Sequence, residues 1–551
     1  MVNEDRRYLK IGNSKDPTQN MWYSSYFAHV RKIRGLAVLA IVLIVSTSSF
    51  ASTPAPPDDI KKLIKQAAES TRAGLLPEAE ATLRKAIALD EKRIDTKIEL
   101  AFVLTKERRL LEAYNLCYPI AQANPKNTRA LSVLGTTLLS AGSFRDARLL
   151  FYTAVQLNRK EDLAWAGFGM LDFYENKIDA SLNNLREAVY YVPDEPDYLF
   201  ALAQVSARSE RYKEAAEAYE QFLNVSKATD EDRRARIKGL IMFLRYLGQY
   251  GGLYTSNGRD QTSVPFDLIG NRPVVTLKIN GNEAPLRFVL DTGSGISVIS
   301  EETAQRFKIK PVARGGFARG IGGNGKFEIV YGQLKQLEIG DVKLKNVPVY
   351  IRKFHDDGQQ IDGYIGLALI SKFLTTIDYG NQTLSLVKKV IDPQTTVAAK
   401  ITDQQEPVAS NDLSLPLRLT SSGFLSGEVE LQGLDSKLNF IVDTGASVSV
   451  ISRGVSKTDG ISPFLGEDKL RVIGSAGITE DVPTFLLPKI TFGKHSCESI
   501  TAIALDLDLI NEASGFEQAG ILGGNFLKNY RLTFDFQNSK VIFVSVKPEK
   551  E

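Results

Sequence analysis

Arg287-Phe-Val-Leu-Asp-Thr-Gly-Ser-Gly-Ile-Ser-Val-Ile-Ser300 and Asn439-Phe-Ile-Val-Asp-Thr-Gly-Ala-Ser-Val-Ser-Val-Ile-Ser452 are near copies of each other. Phe288 answers Phe440, Asp291-Thr-Gly answers Asp443-Thr-Gly, and Ser297-Val-Ile-Ser answers Ser449-Val-Ile-Ser. The two aspartates stand 152 residues apart (443 minus 291). One Asp-Thr-Gly is common in turns. Two, each after an apolar run and each before the same Ser-Val-Ile-Ser, mark a duplicated unit. The apolar residues ahead of each aspartate predict a buried strand that ends at it. Two ionised carboxylates in contact repel, so such a pair keeps one proton between them. The ionised member can then take a proton from water while the protonated member donates one. Gly293 and Gly445 permit the tight turn and close approach that bring two such loops together.

Each copy continues alike. Gly363-Tyr-Ile-Gly-Leu-Ala-Leu-Ile370 follows the first, and Gly520-Ile-Leu-Gly-Gly-Asn-Phe-Leu527 follows the second. Both then reach an Asp-aromatic pair in a strand-like run, Asp378-Tyr379 and Asp535-Phe536, for which a structural role is expected. Over roughly 265–547 the chain resembles the aspartic proteases, and its repeat length resembles a retropepsin-like lobe. The resemblance implies two β lobes with Asp291 and Asp443 as the catalytic pair. It also implies that Thr292 and Thr444 hydrogen-bond across the lobe interface. Ser294 is expected to bond its own aspartate, which Ala446 cannot do, so the two carboxylates need not be equivalent. Glycine-rich stretches at Gly320-Ile321-Gly322-Gly323 and Gly474-Ser475-Ala476-Gly477 resemble the flap hairpins that close over a substrate. No cofactor and no metal are implied. Ligand spacing for a metal is absent, and the three histidines stand apart from any Ser or Cys motif.

Ahead of the duplicated unit, Ala79, Ala113, Ala147, Ser181 and Ala215 recur every 34 residues. Twelve residues before each stands another small residue: Ala67, Ala101, Gly135, Gly169 and Ala203. Two helices per repeat pack closely only where side chains are small, and Pro125 and Pro193 end second helices. This period resembles tetratricopeptide repeats. Five repeats are expected over 60–248, closed by a capping helix between Asp230 and Leu247. Trp165, Tyr190 and Tyr191 are expected in the core rather than on a binding surface.

The N-terminus resembles an export signal. Arg31-Lys-Ile-Arg34 precedes an apolar run of ten, Leu36 to Val45, and Ser49 and Ala51 fit a cleavage site. An uncleaved signal anchor is the alternative, and the basic flank places the rest across the membrane. The net charge is +3, but residues 1–51 alone carry +4, so nothing in the remainder asks for nucleic acid. Two cysteines, in different expected domains, make no disulfide framework.

The expected architecture is therefore multidomain, an all-α tetratricopeptide-like solenoid followed by an all-β two-lobed domain. The expected segments are a signal peptide or anchor at 1–51, a proline-rich spacer at 52–59 and helical repeats at 60–248. A linker at 249–264, lobe 1 at 265–390, a linker at 391–412 and lobe 2 at 413–547 follow. The expected function is an exported, periplasmic or secreted aspartic endopeptidase. Its partners would be a peptide or protein substrate and a protein held on the repeats, with membrane contact only through the anchor. A non-catalytic peptide-binding scaffold on the same fold is the alternative, and the lobes can pair within one chain or between chains.

Overall fold

The computed structural model describes residues 57–226, 231–250, 252–323, 326–355, 360–388 and 414–546. The leader and the linker at 391–412 lie outside them. Five helix pairs come first: α1 Pro57–Ala73 and α2 Leu76–Leu89, α3 Ile94–Lys106 and α4 Leu110–Ala123, α5 Thr128–Ser140 and α6 Phe144–Leu157, α7 Asp162–Tyr174 and α8 Ile178–Tyr191, α9 Pro196–Arg208 and α10 Tyr212–Val225. Helix α11, Glu231–Leu247, caps them. Ala79, Ala113, Ala147, Ser181 and Ala215, the residues that set the period, are all fully buried where the helices touch. Larger side chains there would force the helices apart. Two expectations are corrected. Pro57 already opens α1, a position where its missing N–H is no loss, so the spacer is shorter than 52–59. Tyr190 is 77% exposed rather than in the core, because it falls on the last turn of α8 beyond Ala188, the last buried residue of that helix. Trp165 and Tyr191 are half-buried.

The β region follows. Lobe 1 contains β1 Thr255–Ser256, β2 Gln261–Ile269, β3 Arg272–Ile279, β4 Leu286–Leu290, β5 Val298–Ser300, β6 Ala313–Arg319, β7 Lys326–Ile339, β8 Val342–Arg352, β9 Gly363–Ile365, β10 Leu374–Asp378 and β11 Thr383–Val387. Lobe 2 contains β12 Ser414–Pro416, β13 Arg418–Leu419, β14 Leu425–Leu431, β15 Leu438–Val442, β16 Ser449–Ser452, β17 Leu465–Gly474, β18 Gly477–Phe492, β19 His495–Leu505, β20 Gly520–Leu522, β21 Tyr530–Asp535 and β22 Lys540–Ser545. The linker expected at 249–264 is corrected. It contains β1, and its last four residues begin β2, which pairs with both β11 and β3; these strands hide in and behind a Gly, Ser and Asn-rich stretch.

The two lobes are built on one plan. In lobe 1, β4 runs parallel to β9 and β5 parallel to β8; in lobe 2, β15 runs parallel to β20 and β16 parallel to β19. They are joined where β10 pairs with β21, with Thr376 opposite Thr533 and their hydroxyls 3.0 Å apart. On the two sides of this seam, Asp378 and Asp535 each accept the backbone and side-chain N–H groups of an asparagine three residues on, Asn381 and Asn538. Both aspartates therefore tie turns, as expected.

The helical array is packed against the lobes. The turn between paired helices places Arg108, Gly142, Asn176 and Glu210 at the same left-handed backbone position in four successive repeats. Each touches the β region. Arg108 pairs with Glu517, and Gly142 lies against Asn439. Asn176 donates to the Phe536 carbonyl at 3.0 Å, and Glu210 pairs with Lys372. Phe516, fully buried, inserts from lobe 2 between Phe144 and Tyr174, at 5.0 Å from each ring. Helix α11 packs on β6. Gly239 comes so close that a Cβ there would lie 2.2 Å from the Arg314 carbonyl oxygen, and Phe243 stacks on Tyr331 at 4.6 Å.

Candidate active site

The two Asp-Thr-Gly loops meet within one chain. Buried strands β4 and β15 deliver them, and each aspartate is held from behind by the neighbouring parallel strand. Asp291 N–H donates to the Ile365 carbonyl and Asp443 N–H to the Leu522 carbonyl, both at 3.0 Å. Thr292 and Thr444, with no exposed surface, lock the loops together. The Thr292 hydroxyl donates to the Val442 carbonyl at 2.6 Å, and the Thr444 hydroxyl donates to the Leu290 carbonyl at 2.7 Å. Each hydroxyl also accepts the other threonine's backbone N–H at 3.1 Å.

This grip brings the carboxyl groups into hydrogen-bond contact. The glycines make the approach feasible: a Cβ on Gly293 would lie 2.4 Å from Asp443 Cγ, and one on Gly445 would lie 2.7 Å from Asp291 Oδ1. Gly293 N–H donates to Asp291 Oδ1 at 2.9 Å, and Gly445 N–H to Asp443 Oδ1 at 2.7 Å. Burial pushes Asp291 well above the usual carboxylate range, and the neighbouring Asp443 pushes it further. Burial also raises Asp443, but its hydrogen bond with Asp291 and backbone N–H groups of Gly445, Ala446 and Gly293 oppose the rise. The pair thus titrates as a unit with one proton held on it over an extended pH range.

The two carboxyl groups are inequivalent, but not for the reason expected from Ser294. That hydroxyl turns away from Asp291 and donates to the Ile296 carbonyl at 2.8 Å, satisfying the loop that follows. The difference instead lies in the backbone donors to Asp443 and in the positive charge of Arg352, which acts on Asp291. Ala446 packs with the aliphatic cluster of lobe 2.

The β6–β7 and β17–β18 hairpins meet tip to tip, and Ile321 at that junction packs on the same lobe 2 cluster as Ala446 of the second Asp-Thr-Gly loop. Ala476 N–H donates to the Ile321 carbonyl at 2.8 Å, and Gly323 N–H donates to the Ile478 carbonyl at 3.1 Å. Gly320 faces Ser475, Gly322 faces Gly477, and Gly474 lies against Ile321. All eight tip residues singled out in the sequence therefore gather in one roof. The hairpins differ in support: β6 is backed by α11, whereas β17 is exposed along most of its length.

Two parts of the site lay outside the sequence reading. The loop before β14 reaches under the first active-site loop, with the Leu425 N–H donating to the Thr292 carbonyl at 3.4 Å. It is held from the array by Arg208, which donates to the Thr420 and Ser421 carbonyls at 2.7 and 3.1 Å and lies 3.8 Å from the Phe173 ring. Burial pulls the Arg208 pKa down to about 9. Arg352, at the end of β8, is the second part. A comparison of the two copies strand by strand, rather than motif by motif, would have exposed it.

Two segments, 275–369 and 428–526, match the family model described as "Aspartyl protease"; each contains one Asp-Thr-Gly loop and its downstream glycine motif. No curated protein matches the chain. Among solved structures, the helical region is similar to PilF of Pseudomonas aeruginosa, at 18% identity and a TM-score of 0.27, covering 35% of this chain and 85% of that one. It is also similar to a thermophilic TPR protein of Thermus thermophilus, at 17% identity and a TM-score of 0.29, covering 33% of this chain and 99% of that one. The 34-residue spacing of the helix pairs carries the repeat assignment.

Proposed function

We propose that this chain, whose two lobes form an aspartyl protease-like domain, is an endopeptidase that hydrolyses peptide bonds with water activated between Asp291 and Asp443. The observation that carries this is the carboxyl pair itself: two half-buried aspartates from equivalent loops, in contact, in a chain whose two hairpins converge tip to tip. An extended peptide would lie between the hairpin tips and the pair, bonded through its backbone as an added strand is. The ionised carboxylate takes a proton from water as the water oxygen bonds to the carbonyl carbon. The protonated carboxyl gives its proton to the carbonyl oxygen. Collapse returns a proton from the new hydroxyl to the pair, the leaving nitrogen takes one, and the C–N bond breaks. One proton remains on the pair, ready for the next cycle.

The test is digestion of an unbiased peptide mixture by the full chain from pH 3 to 8, with products read by mass spectrometry. Internal cleavage is expected. Activity requires one proton on the pair, so it falls in acid when the ionised member is protonated. It also falls at high pH when the last proton leaves. Both groups are raised. The alkaline fall therefore lies well above the ordinary aspartate value of about 3.9, and cleavage persists near pH 6. Complete loss of cleavage by pH 4.5 would contradict the raised pair.

Export by the leader and recruitment by the array belong to the same proposal. Among the described residues no helix is long and apolar enough to cross a membrane. The array exposes Leu149, Tyr152 and Tyr190 on α6 and α8, away from the turns that dock on the lobes. Replacing Tyr152 and Tyr190 with serine should slow cleavage of a protein substrate severalfold and leave short-peptide cleavage unchanged. Equal effects on both substrates would end the recruitment reading. Deleting the array is the poorer test, because it also strips support from β6 and from the loop before β14.

A further inference from the structure

The two walls of the cleft are equivalent in backbone and opposite in chemistry. In lobe 1 the β5–β8 ladder sets Arg352 opposite Ser300; in lobe 2 the β16–β19 ladder sets Leu505 opposite Ser452. Ser300 and Ser452 close the two copies of Ser-Val-Ile-Ser, so Arg352 and Leu505 occupy the same place in their lobes. Leu505 sits in a cluster whose buried members, among them Ile441, Val450, Ile503 and Ile521, are all aliphatic, and Ile321 of the roof and Phe424 pack against it. Arg352 instead stands among rings. Its guanidinium carbon lies 5.1 Å from the Phe327 ring and 5.6 Å from the Phe354 ring, and Phe354 meets Tyr364 edge-on at 5.2 Å.

These rings place the cation beside the cleft. Phe327 lies directly under the roof, its Cε1 3.0 Å from where a Cβ on Gly320 would be. Tyr364 precedes Ile365, whose carbonyl holds the Asp291 N–H. Between buried Gly363 and Ile365 it is the half-exposed residue of β9. Stacking on ring faces leaves a guanidinium's in-plane N–H groups free for an acceptor. Arg352 Nε is buried and, among the described residues, has no hydrogen-bond partner. Burial lowers the pKa of this arginine, while the nearby Tyr364 and Asp291 groups raise it. A half-buried guanidinium packed on rings rather than paired with a carboxylate gains from an anion that reaches its free N–H groups.

We propose that Arg352 makes the lobe 1 wall of the cleft a subsite for a carboxylate of the bound peptide, facing an aliphatic subsite around Leu505 in lobe 2. The proposal rests on the proteolytic reading above. The carboxylate has two sources, an Asp or Glu side chain or the peptide's own C-terminus. Both offer the planar, two-oxygen acceptor that a guanidinium binds in parallel bonds.

The experiment uses the full chain and matched peptides that differ by Glu against Gln at each position around one cleaved bond. A second set differs by a C-terminal acid against an amide. At one position, or at the C-terminus, the acid form should be cleaved with kcat/KM at least about tenfold above its neutral twin. The set that shows the ratio identifies the source. In Arg352→Leu, which copies lobe 2, the ratio should fall to near one. In Arg352→Glu it should invert in favour of Lys at the same position. A parent enzyme that cleaves acid and neutral twins alike overturns the inference while leaving the protease standing, and so does an acid preference that survives Arg352→Leu. If the parent cleaves nothing, the proteolytic reading fails instead. Fluorescence-polarisation binding of the same twins then decides the subsite, with equal affinities overturning it.

Discussion

Asp291→Asn and Asp443→Asn should each reduce peptide hydrolysis by at least about a thousandfold and, at neutral pH, make the protein more stable. The first effect follows from the shared proton. An amide can neither accept the water proton nor cycle one to the carbonyl oxygen, and loss of a positioned acid–base group removes about 10²–10⁴ in rate. Here both roles depend on the same pair. Each single substitution should therefore be as damaging as the double, which also separates one dyad per chain from lobes that pair between chains. The second effect follows from the raised pKa values. An unfolded aspartate ionises near 3.9, whereas the folded pair still holds a proton above that pH. Folding therefore takes up a proton, and stability falls as pH rises from about 4 through the folded values. Asparagine removes the like charge and the uptake. The gain should be absent below about pH 4, grow above it and reach on the order of 1 kcal/mol or more near neutrality. Thermal unfolding of parent and variants at pH 3.5 and 7 measures it. A variant equally stabilised, or destabilised, at both pH values would contradict burial as the cause.

Thr292→Val should be the most damaging isosteric change outside the carboxylates. Valine keeps the shape but loses a hydroxyl that donates to the Val442 carbonyl and accepts the Thr444 N–H. Two buried backbone groups are then orphaned, at about 1–3 kcal/mol each. Thr444→Val should cost a similar amount through the Leu290 carbonyl and the Thr292 N–H. The double variant should be destabilised by less than the sum, because the two residues serve one network. Thr292→Ser, which retains the hydroxyl, should recover most of the stability. Activity should fall with the grip, since a small misplacement of the carboxyls is enough to disable them. Unfolding midpoints and kcat/KM for the four variants test this; a strictly additive double variant would show the two threonines acting separately.

The aspartate pair, its threonines and the roof were legible because duplication wrote each twice. A motif seen in two copies at one spacing escapes chance, and the carboxylate chemistry demands two contributors. What duplication does not repeat stayed hidden. Arg352 has leucine as its counterpart, so no shared motif marks it, and only strand register shows that the two positions correspond. Ser294 is expected at the aspartate because its hydroxyl stands three residues on in the same loop. Whether it serves Asp291 or the Ile296 carbonyl depends on the turn, which the letters do not carry. Strand β2 was hidden for a different reason: its polar residues face outward, and its first half pairs with β11, more than a hundred residues downstream.

The 34-residue period was plain, but the docking was not. Arg108, Gly142, Asn176 and Glu210 share a position and nothing else in chemistry. A solenoid that stands free is indifferent to the number of its repeats, because each unit touches only its neighbours. This one has its pitch matched to the spacing of footholds on another body, as a ruler is to the marks it must meet. Inserting or removing one repeat would slide every later turn to the wrong foothold, and would carry α11 away from the β6 hairpin it backs. The number of docked repeats is thus set by the breadth of the two lobes, and it is a dimension of the protease-like half rather than a free parameter of the helical one.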